Sequence, residues 1–264
     1  MVAVLVLSGC GQGDPAAGKL LIAGSSTVAP LLAEIAARFE AEHPGTEVDV
    51  QAGGSSRGIA DVRRGLIDIG AASRALGPGE AGLTEHAIAR DGIALIVHRS
   101  NPVTTLDAAQ VRAIYTGRID DWGALGLPAG PITVVNKADG RATLTLFLAH
   151  FDLDAPDVVP NVVVGHNMQG IQSVAGSPGA IGYVSIGAGE QEAARGQPIR
   201  LLPMNGISAD SDALRDGRYP LSRPLNLITP GEPTGLARRF IDYAQSPAVH
   251  DLVRQLHFVP AGRP

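Results

Sequence analysis

Along this chain, short apolar runs alternate with stretches in which apolar residues recur every three or four positions. The runs at residues 20–23, 47–51, 67–71, 93–98, 132–136, 162–164, 181–185, 199–202 and 225–228 are several times rich in β-branched residues. Gly or Pro stands at their edges, which predicts short strands covered on both faces. Between them, Val28, Leu31, Leu32, Ile35 and Phe39 recur at helical spacing, with Glu34, Arg38 and Glu42 on the other side, and His43-Pro44-Gly45 stops the helix. Leu144, Phe147, Leu148 and Phe151 form a second such stripe, and Leu236, Phe240, Ile241 and Ala244 a third. Alternation of this kind predicts an α/β protein with mainly parallel sheets.

Serine-rich turns stand where predicted strands hand over to helices. Gly24-Ser25-Ser26-Thr27 precedes a helix with Pro30 in its first turn, and Gly53-Gly54-Ser55-Ser56-Arg57-Gly58 precedes the pattern Ile59, Val62, Leu66. Lys137-Ala138-Asp139-Gly140-Arg141-Ala142-Thr143 precedes the Leu144 stripe. Each turn offers hydroxyls and backbone N–H groups at the positive end of a helix dipole, and glycine lets the backbone come close to a bound group. For any one turn, helix capping explains the hydroxyls as well. Paired hydroxyls at two turns and basic residues at the third shift the combination toward anion binding. Arg57, Arg74, Lys137 and Arg141 lie in or near these turns, and Asn167 precedes the short pattern Ile171, Val174 as a cap or a ligand contact.

Composition narrows the remaining choices. The 264 residues are 45% hydrophobic and 18% charged, enough to bury a core, while 33 glycines and 19 prolines argue against a helical bundle. The net charge of −5, without a basic block, disfavours nucleic acid. A single cysteine excludes an intramolecular disulfide and a cysteine-based metal site, and the seven histidines show no paired metal-ligand spacing. No cofactor or metal is expected. A phosphatase using one of the serines lacks a Gly-x-Ser-x-Gly elbow, so no enzyme activity is expected.

The turns, in this order, resemble the phosphate-binding proteins of high-affinity phosphate ABC transporters over residues 20–260. The resembling segments are Ala23-Gly24-Ser25-Ser26-Thr27-Val28-Ala29-Pro30, Gly53-Gly54-Ser55-Ser56-Arg57-Gly58-Ile59 and Asp68-Ile69-Gly70-Ala71-Ala72-Ser73-Arg74. They continue with Ile114-Tyr115-Thr116-Gly117-Arg118-Ile119-Asp120-Asp121-Trp122, Ala180-Ile181-Gly182-Tyr183-Val184 and Tyr219-Pro220-Leu221-Ser222-Arg223-Pro224-Leu225. The resemblance implies a two-lobed type II periplasmic-binding-protein fold with a ligand cleft between the lobes. Residues 19–97 and 221–264 would form one lobe and 98–220 the other, joined by crossover strands at 93–98 and 225–228. It further implies capture of inorganic phosphate and its delivery to ABC permease subunits, by a protein expected to be a monomer. Another tetrahedral oxyanion (sulfate, molybdate or a phosphonate) is the alternative cargo.

Carried over residue by residue, the resemblance assigns Ser26 and Thr27 to the first ligand turn and Ser55 to the second. Ser73 falls where some family members have an aspartate that accepts the proton of hydrogen phosphate. At the third turn Asp139, Gly140 and Thr143 match the family pattern, whereas Lys137, Arg141 and Ala142 replace Arg, Ser and Gly. Lys137 cannot make a bidentate guanidinium contact, which Arg141 would restore. Ser73 both donates and accepts, so Asp139 is left as the carboxylate to orient the basic groups or take a ligand proton.

The apolar Val2–Leu7 segment is far short of the roughly 20 residues that span a bilayer. It leads into Leu7-Ser8-Gly9-Cys10, which resembles a bacterial lipobox, and then into a Gly-rich tether. Cys10 is therefore the expected lipid attachment site, holding the protein outside the cytoplasm on a bacterial membrane, in the periplasm or at the cell surface. The basic segment that precedes such a motif is missing, so residues 1–18 are expected to be a signal remnant and tether. A chance apolar start with a buried cysteine is the alternative.

Overall fold

The computed structural model describes residues 18–262; Cys10 and most of the predicted tether lie outside the described residues. Strand β1 (Gly18–Gly24) is followed by helix α1 (Ala29–Glu42), β2 (Thr46–Ala52), α2 (Ser55–Arg63), β3 (Ile69–Ala72) and the long β4 (Thr84–His98). Then come α3 (Ala108–Tyr115), β5 (Thr133–Lys137), α4 (Ala142–Phe151), β6 (Val162–Val164), α5 (Asn167–Ala175), β7 (Ala180–Ser185) and α6 (Ile186–Ala194). The chain ends with β8 (Ile199–Leu201), α7 (Ser211–Arg215), β9 (Ser222–Thr229), α8 (Gly235–Ala244), α9 (His250–Gln255) and β10 (Val259–Pro260).

The strands run in the order β2-β1-β3-β9-β4-β7-β5-β6, with β8 and β10 also paired to β4. The pairs β1–β2, β1–β3, β5–β6 and β5–β7 are parallel, as the alternating pattern predicts. Every pairing of β4, and that of β3 with β9, is antiparallel, so the sheet is mixed rather than mainly parallel. The reason is β4 itself. Its first part, Thr84–Gly92, pairs with β9, and its second part, Ile93–Val97, pairs with β7. One strand thus belongs to two sets of neighbours.

Two main cores flank that strand. One contains Leu20, Ile22, Leu31, Leu32, Ile35, Phe39, Ile69, Phe240, Ile241 and Val253, joining the first 90 residues to the C-terminal helices. The apolar face of α1 and that of α8 meet there, with Phe39 and Phe240 edge to face at 5.3 Å. The other core runs from Ile93 to Leu221, joined by Val259, and contains Tyr115, Trp122, Phe147, Phe151 and Tyr183. Phe147 and Tyr183 stack at 3.8 Å with their rings nearly parallel. The Tyr183 hydroxyl, carried beyond that stack, donates to Asn136 Oδ1 and accepts from the Lys137 N–H, which fixes the end of β5.

Candidate functional site

The two serine-rich turns and the Lys137–Thr143 turn meet where the two cores face each other. Their helices share one feature. α3, α5, α6 and α7 each have a side chain that accepts from the first turn, from Asp107, His166, Ser185 and Asp210 respectively. α1, α2 and α4, which begin at Val28, Gly54 and Arg141, have no side-chain cap, as is also true of α8 and α9. The hydroxyls at these turns therefore do not cap the helices they precede, and the positive helix ends remain available to another group. Gly54, at φ 102°, permits the turn into α2, a conformation that a residue with Cβ rarely adopts.

Arg223, from the start of β9, occupies the centre. Its side chain is 1% exposed and its Nε and Nη2 donate to Asp91 Oδ2 on β4 at 3.1 and 2.8 Å. Nη1 reaches Thr143 Oγ1 at 2.9 Å and Ser73 Oγ at 3.3 Å, and Nη2 reaches Thr27 Oγ1 at 3.4 Å. One guanidinium therefore touches the first turn, the third turn and the end of β3. Asp91 is held from its other side by the Gly187 N–H at 3.3 Å, at the start of α6.

Around this ion pair, Ser25 Oγ accepts from the Thr27 N–H and donates to Ser73 Oγ, and Ser55 Oγ accepts from the Ser73 N–H at 3.1 Å. Asn167 Nδ2 donates to Thr27 Oγ1 at 3.3 Å, and its Oδ1 faces Lys137 Nζ at 3.4 Å. Thr27, Ser55, Ser73, Lys137, Thr143, Asn167 and Arg223 are all buried. Burial, reinforced by Arg223 and then Arg141, lowers the Lys137 amine to about 7. Among the described residues no carboxylate pairs with this amine, so an anion entering beside it and the two guanidinium groups would favour its charged form. Arg141 is half-buried and passes between Gly54 and Gly165; a Cβ on either would lie 3.2 Å from Nη1 or 3.4 Å from Nη2.

The structure thus brings together Thr27, Ser55, Ser73, Lys137, Arg141 and Thr143, with Ala142 buried at the start of α4. Ser26 is only half-buried and takes no part in this network; its neighbour Ser25 does. Asp139 is exposed and enters none of these hydrogen bonds. Arg57 pairs with Asp61, and Arg74 makes a two-bond pair with Glu80 at 2.6 Å, so both are engaged elsewhere. Asn167 does not cap α5, since His166 does; it stands inside the helix and points into the cluster. Arg223 and its holder Asp91 carry no turn signature, and Arg223 appeared in the sequence only as part of the Tyr219–Leu225 segment.

Comparison with known proteins agrees with this geometry. A family model described as a PBP superfamily domain matches residues 11–248. The phosphate-binding protein PstS of Bacillus subtilis is 29% identical over 252 residues, covering 94% of this chain and 82% of that protein. A crystal structure with bound phosphate, of a Clostridium perfringens protein assigned to phosphate ABC transporter substrate binding, superposes with a TM-score of 0.86. It is 32% identical and the match covers 93% of this chain and all of that one. An ABC-type phosphate transport receptor from Vibrio cholerae superposes with a TM-score of 0.77 at 28% identity, over 92% of this chain and 100% of that one.

Proposed function

The chain belongs to the PBP superfamily, among the substrate-binding proteins of phosphate ABC transporters, and we propose that its central cleft captures inorganic phosphate for delivery to the permease. The observation that carries this reading is the convergence of Lys137, Arg141 and Arg223 on buried hydroxyls at three uncapped helix starts. A tetrahedral anion needs donors from several directions, and charge-assisted bonds in a buried cleft are the strong kind. The ligand set we assign is Thr27, Ser55, Ser73, Lys137, Arg141 and Thr143, with the backbone N–H at Ala142. Arg223 and Asn167 join it. Ser26 contributes through its backbone turn, and Asp139 is left outside.

The proposed lobes are 19–97 with 221–264, and 98–220. The two main cores and the division of β4 support a two-lobed reading, but they part at Gly92/Ile93, with Ile93, Ala94, Leu95 and Val97 packed in the core of the second lobe. Contacts such as Arg223 to Thr143 and Thr27 to Asn167 cross from one lobe to the other, so phosphate capture and lobe closure would share the same residues. We also propose that the mature protein is a monomer held outside the cytoplasm by lipid on Cys10. Replacing Cys10 by Ser should release it from the membrane fraction; unchanged retention would remove the anchor.

The function is tested by titration calorimetry of the purified protein, dialysed free of anion, with phosphate. Saturable binding at micromolar phosphate is expected, weakened when Arg141 is replaced by Ala. Absence of heat with phosphate would overturn the assignment.

A further inference from the structure

Of the 21 basic side chains in this protein only two are lysines, Lys19 and Lys137. Lys19 is exposed at the start of β1, where it pairs with Glu47 at 2.6 Å. Lys137 is the other extreme. It ends β5, is 3% exposed, and among the described residues its Nζ has one hydrogen-bond partner, Asn167 Oδ1, at a long 3.4 Å. A Cβ on Gly170 would lie 3.3 Å from that nitrogen, so the amine is packed against α5.

The charge around this amine is unbalanced. β9 brings Arg223 and the turn before α4 brings Arg141, and both disfavour a third positive charge beside them. α5 brings the neutral Asn167 amide and His166, whose ring burial, then Lys137 and Arg141, hold below its ordinary value. β7 brings the Tyr183 hydroxyl, which burial keeps protonated, and β6 brings valines alone. Asp91 Oδ2 takes two N–H groups of Arg223, and Asp139 is exposed. The uncapped starts of α1, α2 and α4 add partial positive charge.

Within this cluster of cations Lys137 is the member that can lower the charge. A guanidinium does not shed its proton in a protein, whereas a buried ammonium does so readily. Burial, then Arg223 and Arg141, bring the Lys137 amine down to about 7. A neutral amine still has N–H groups to give, so its contact with Asn167 Oδ1 survives the loss. An entering anion reverses the sign of the field. An opposite charge within about 4–6 Å moves a titrating group by about 1–3 pH units toward its charged form.

We propose that phosphate capture is proton-linked through Lys137, whose amine is neutral in the empty cleft at mildly alkaline pH and takes one proton from solvent when the anion enters. This rests on reading the cleft as the anion site. On binding, a buffer acid gives its proton to the Nζ lone pair and one N–H bond forms. When phosphate leaves, that bond breaks and the proton returns to solvent. Capture is therefore tighter in acid and release easier in alkali. Between the midpoints of the empty and the occupied amine, affinity should fall by up to about tenfold per pH unit.

The test uses protein isotope-labelled at its lysine ε-carbons, which gives one resonance for Lys19 and one for Lys137. Lys19→Arg, an exposed change, leaves Lys137 as the single labelled residue and assigns the pair. In the phosphate-free protein the Lys137 resonance should titrate with a midpoint near about 7, while that of Lys19 stays charged past about pH 9. Saturating phosphate should raise the Lys137 midpoint by at least about one pH unit. Calorimetry on the same samples shows whether phosphate binds. Heat with an unmoved Lys137 midpoint, or an empty-site amine that stays charged past about pH 9, overturns the inference and leaves the phosphate assignment intact. An affinity that falls with pH while the resonance does not move puts the proton on phosphate instead, and also overturns it. No heat with phosphate overturns the anion site itself, and the inference with it.

Discussion

Removing Arg223 should do two separable things. Asp91 is completely buried and Arg223 nearly so, and the Asp91 carboxylate would keep only the Gly187 N–H at 3.3 Å once the guanidinium is gone. Breaking one partner of a buried ion pair costs about 3–5 kcal/mol, because the remaining charge stays out of water. That is a large share of the about 5–15 kcal/mol that holds a folded domain. Removing both charges with groups of similar volume, Asp91→Leu with Arg223→Met, leaves no stranded charge and should recover most of the loss. Phosphate affinity behaves differently. Each lost charge-assisted bond is worth about 1.5–3 kcal/mol, so both the single and the double variant should bind phosphate at least about tenfold more weakly. Urea unfolding followed by circular dichroism gives the stabilities, and calorimetry gives the affinities. The reasoning is refuted if Arg223→Met unfolds within about 1 kcal/mol of wild type, or if the double variant is as unstable as the single one.

Other consequences are smaller and independent. Ser55→Ala removes the acceptor of the buried Ser73 N–H and a ligand donor; about 1–3 kcal/mol of stability and a clear loss of phosphate affinity are expected by urea titration and calorimetry. The Lys137 amine is lowered to about 7 by burial and then by its arginine neighbours, against an ordinary value of about 10.4 in the unfolded chain. Between these values the unfolded chain holds the proton that the folded one lacks, so ligand-free stability should rise with pH by up to about 1.4 kcal/mol per pH unit. Lys137→Met should flatten that rise, and parallel stability–pH curves for the two proteins would contradict it. A Cβ on Gly58 would lie 2.5 Å from the Ala23 carbonyl oxygen and 2.7 Å from Gly24 Cα, and neither backbone atom can swing aside. Gly58→Ala should therefore cost about 1–3 kcal/mol and displace Ser55, lowering urea midpoint and phosphate affinity together. Trp122 is packed in its core with Nε1 donating to Gly179 at 3.1 Å, so saturating phosphate should leave its emission maximum in place; a shift would mean that closure reaches that core.

What could be read from the sequence follows the range of the forces involved. The nine predicted strands all exist, and α1, α4 and α8 fall on their apolar stripes, because local periodicity reports which face is buried. The first part of β4 was invisible: Thr84–Arg90 mixes Glu85, His86 and Arg90 with small residues, and it becomes a strand because β9 and β10 lie alongside it. Leu66 fits the helical spacing of Ile59 and Val62, yet α2 ends at Arg63 and Leu66 is 55% exposed. Three of the ligand turns were legible as Gly–hydroxyl sequences before helices. Arg223 and Asp91, separated by 132 positions, were not, since nothing local distinguishes a central buried pair from two surface charges. Asp139 is the converse case. It sits in the matching turn, but it is exposed and enters none of the hydrogen bonds of the cleft.

β4 also bears on the order in which the molecule can assemble. Its partners β7, β8, β9 and β10 are all made after it, and the core that shelters α1 is completed by Phe240, Ile241 and Val253 near the end of the chain. During synthesis the N-terminal 90 residues emerge with part of their core still missing, whereas residues 93–221 supply almost all of their own. Contacts of such long sequence separation form slowly, and the N-terminal segment stays without its partners until the last helices exist. A chain arranged in this way can pack its second core before its first, and the N-terminal segment locks only when the tail that completes its core has been made.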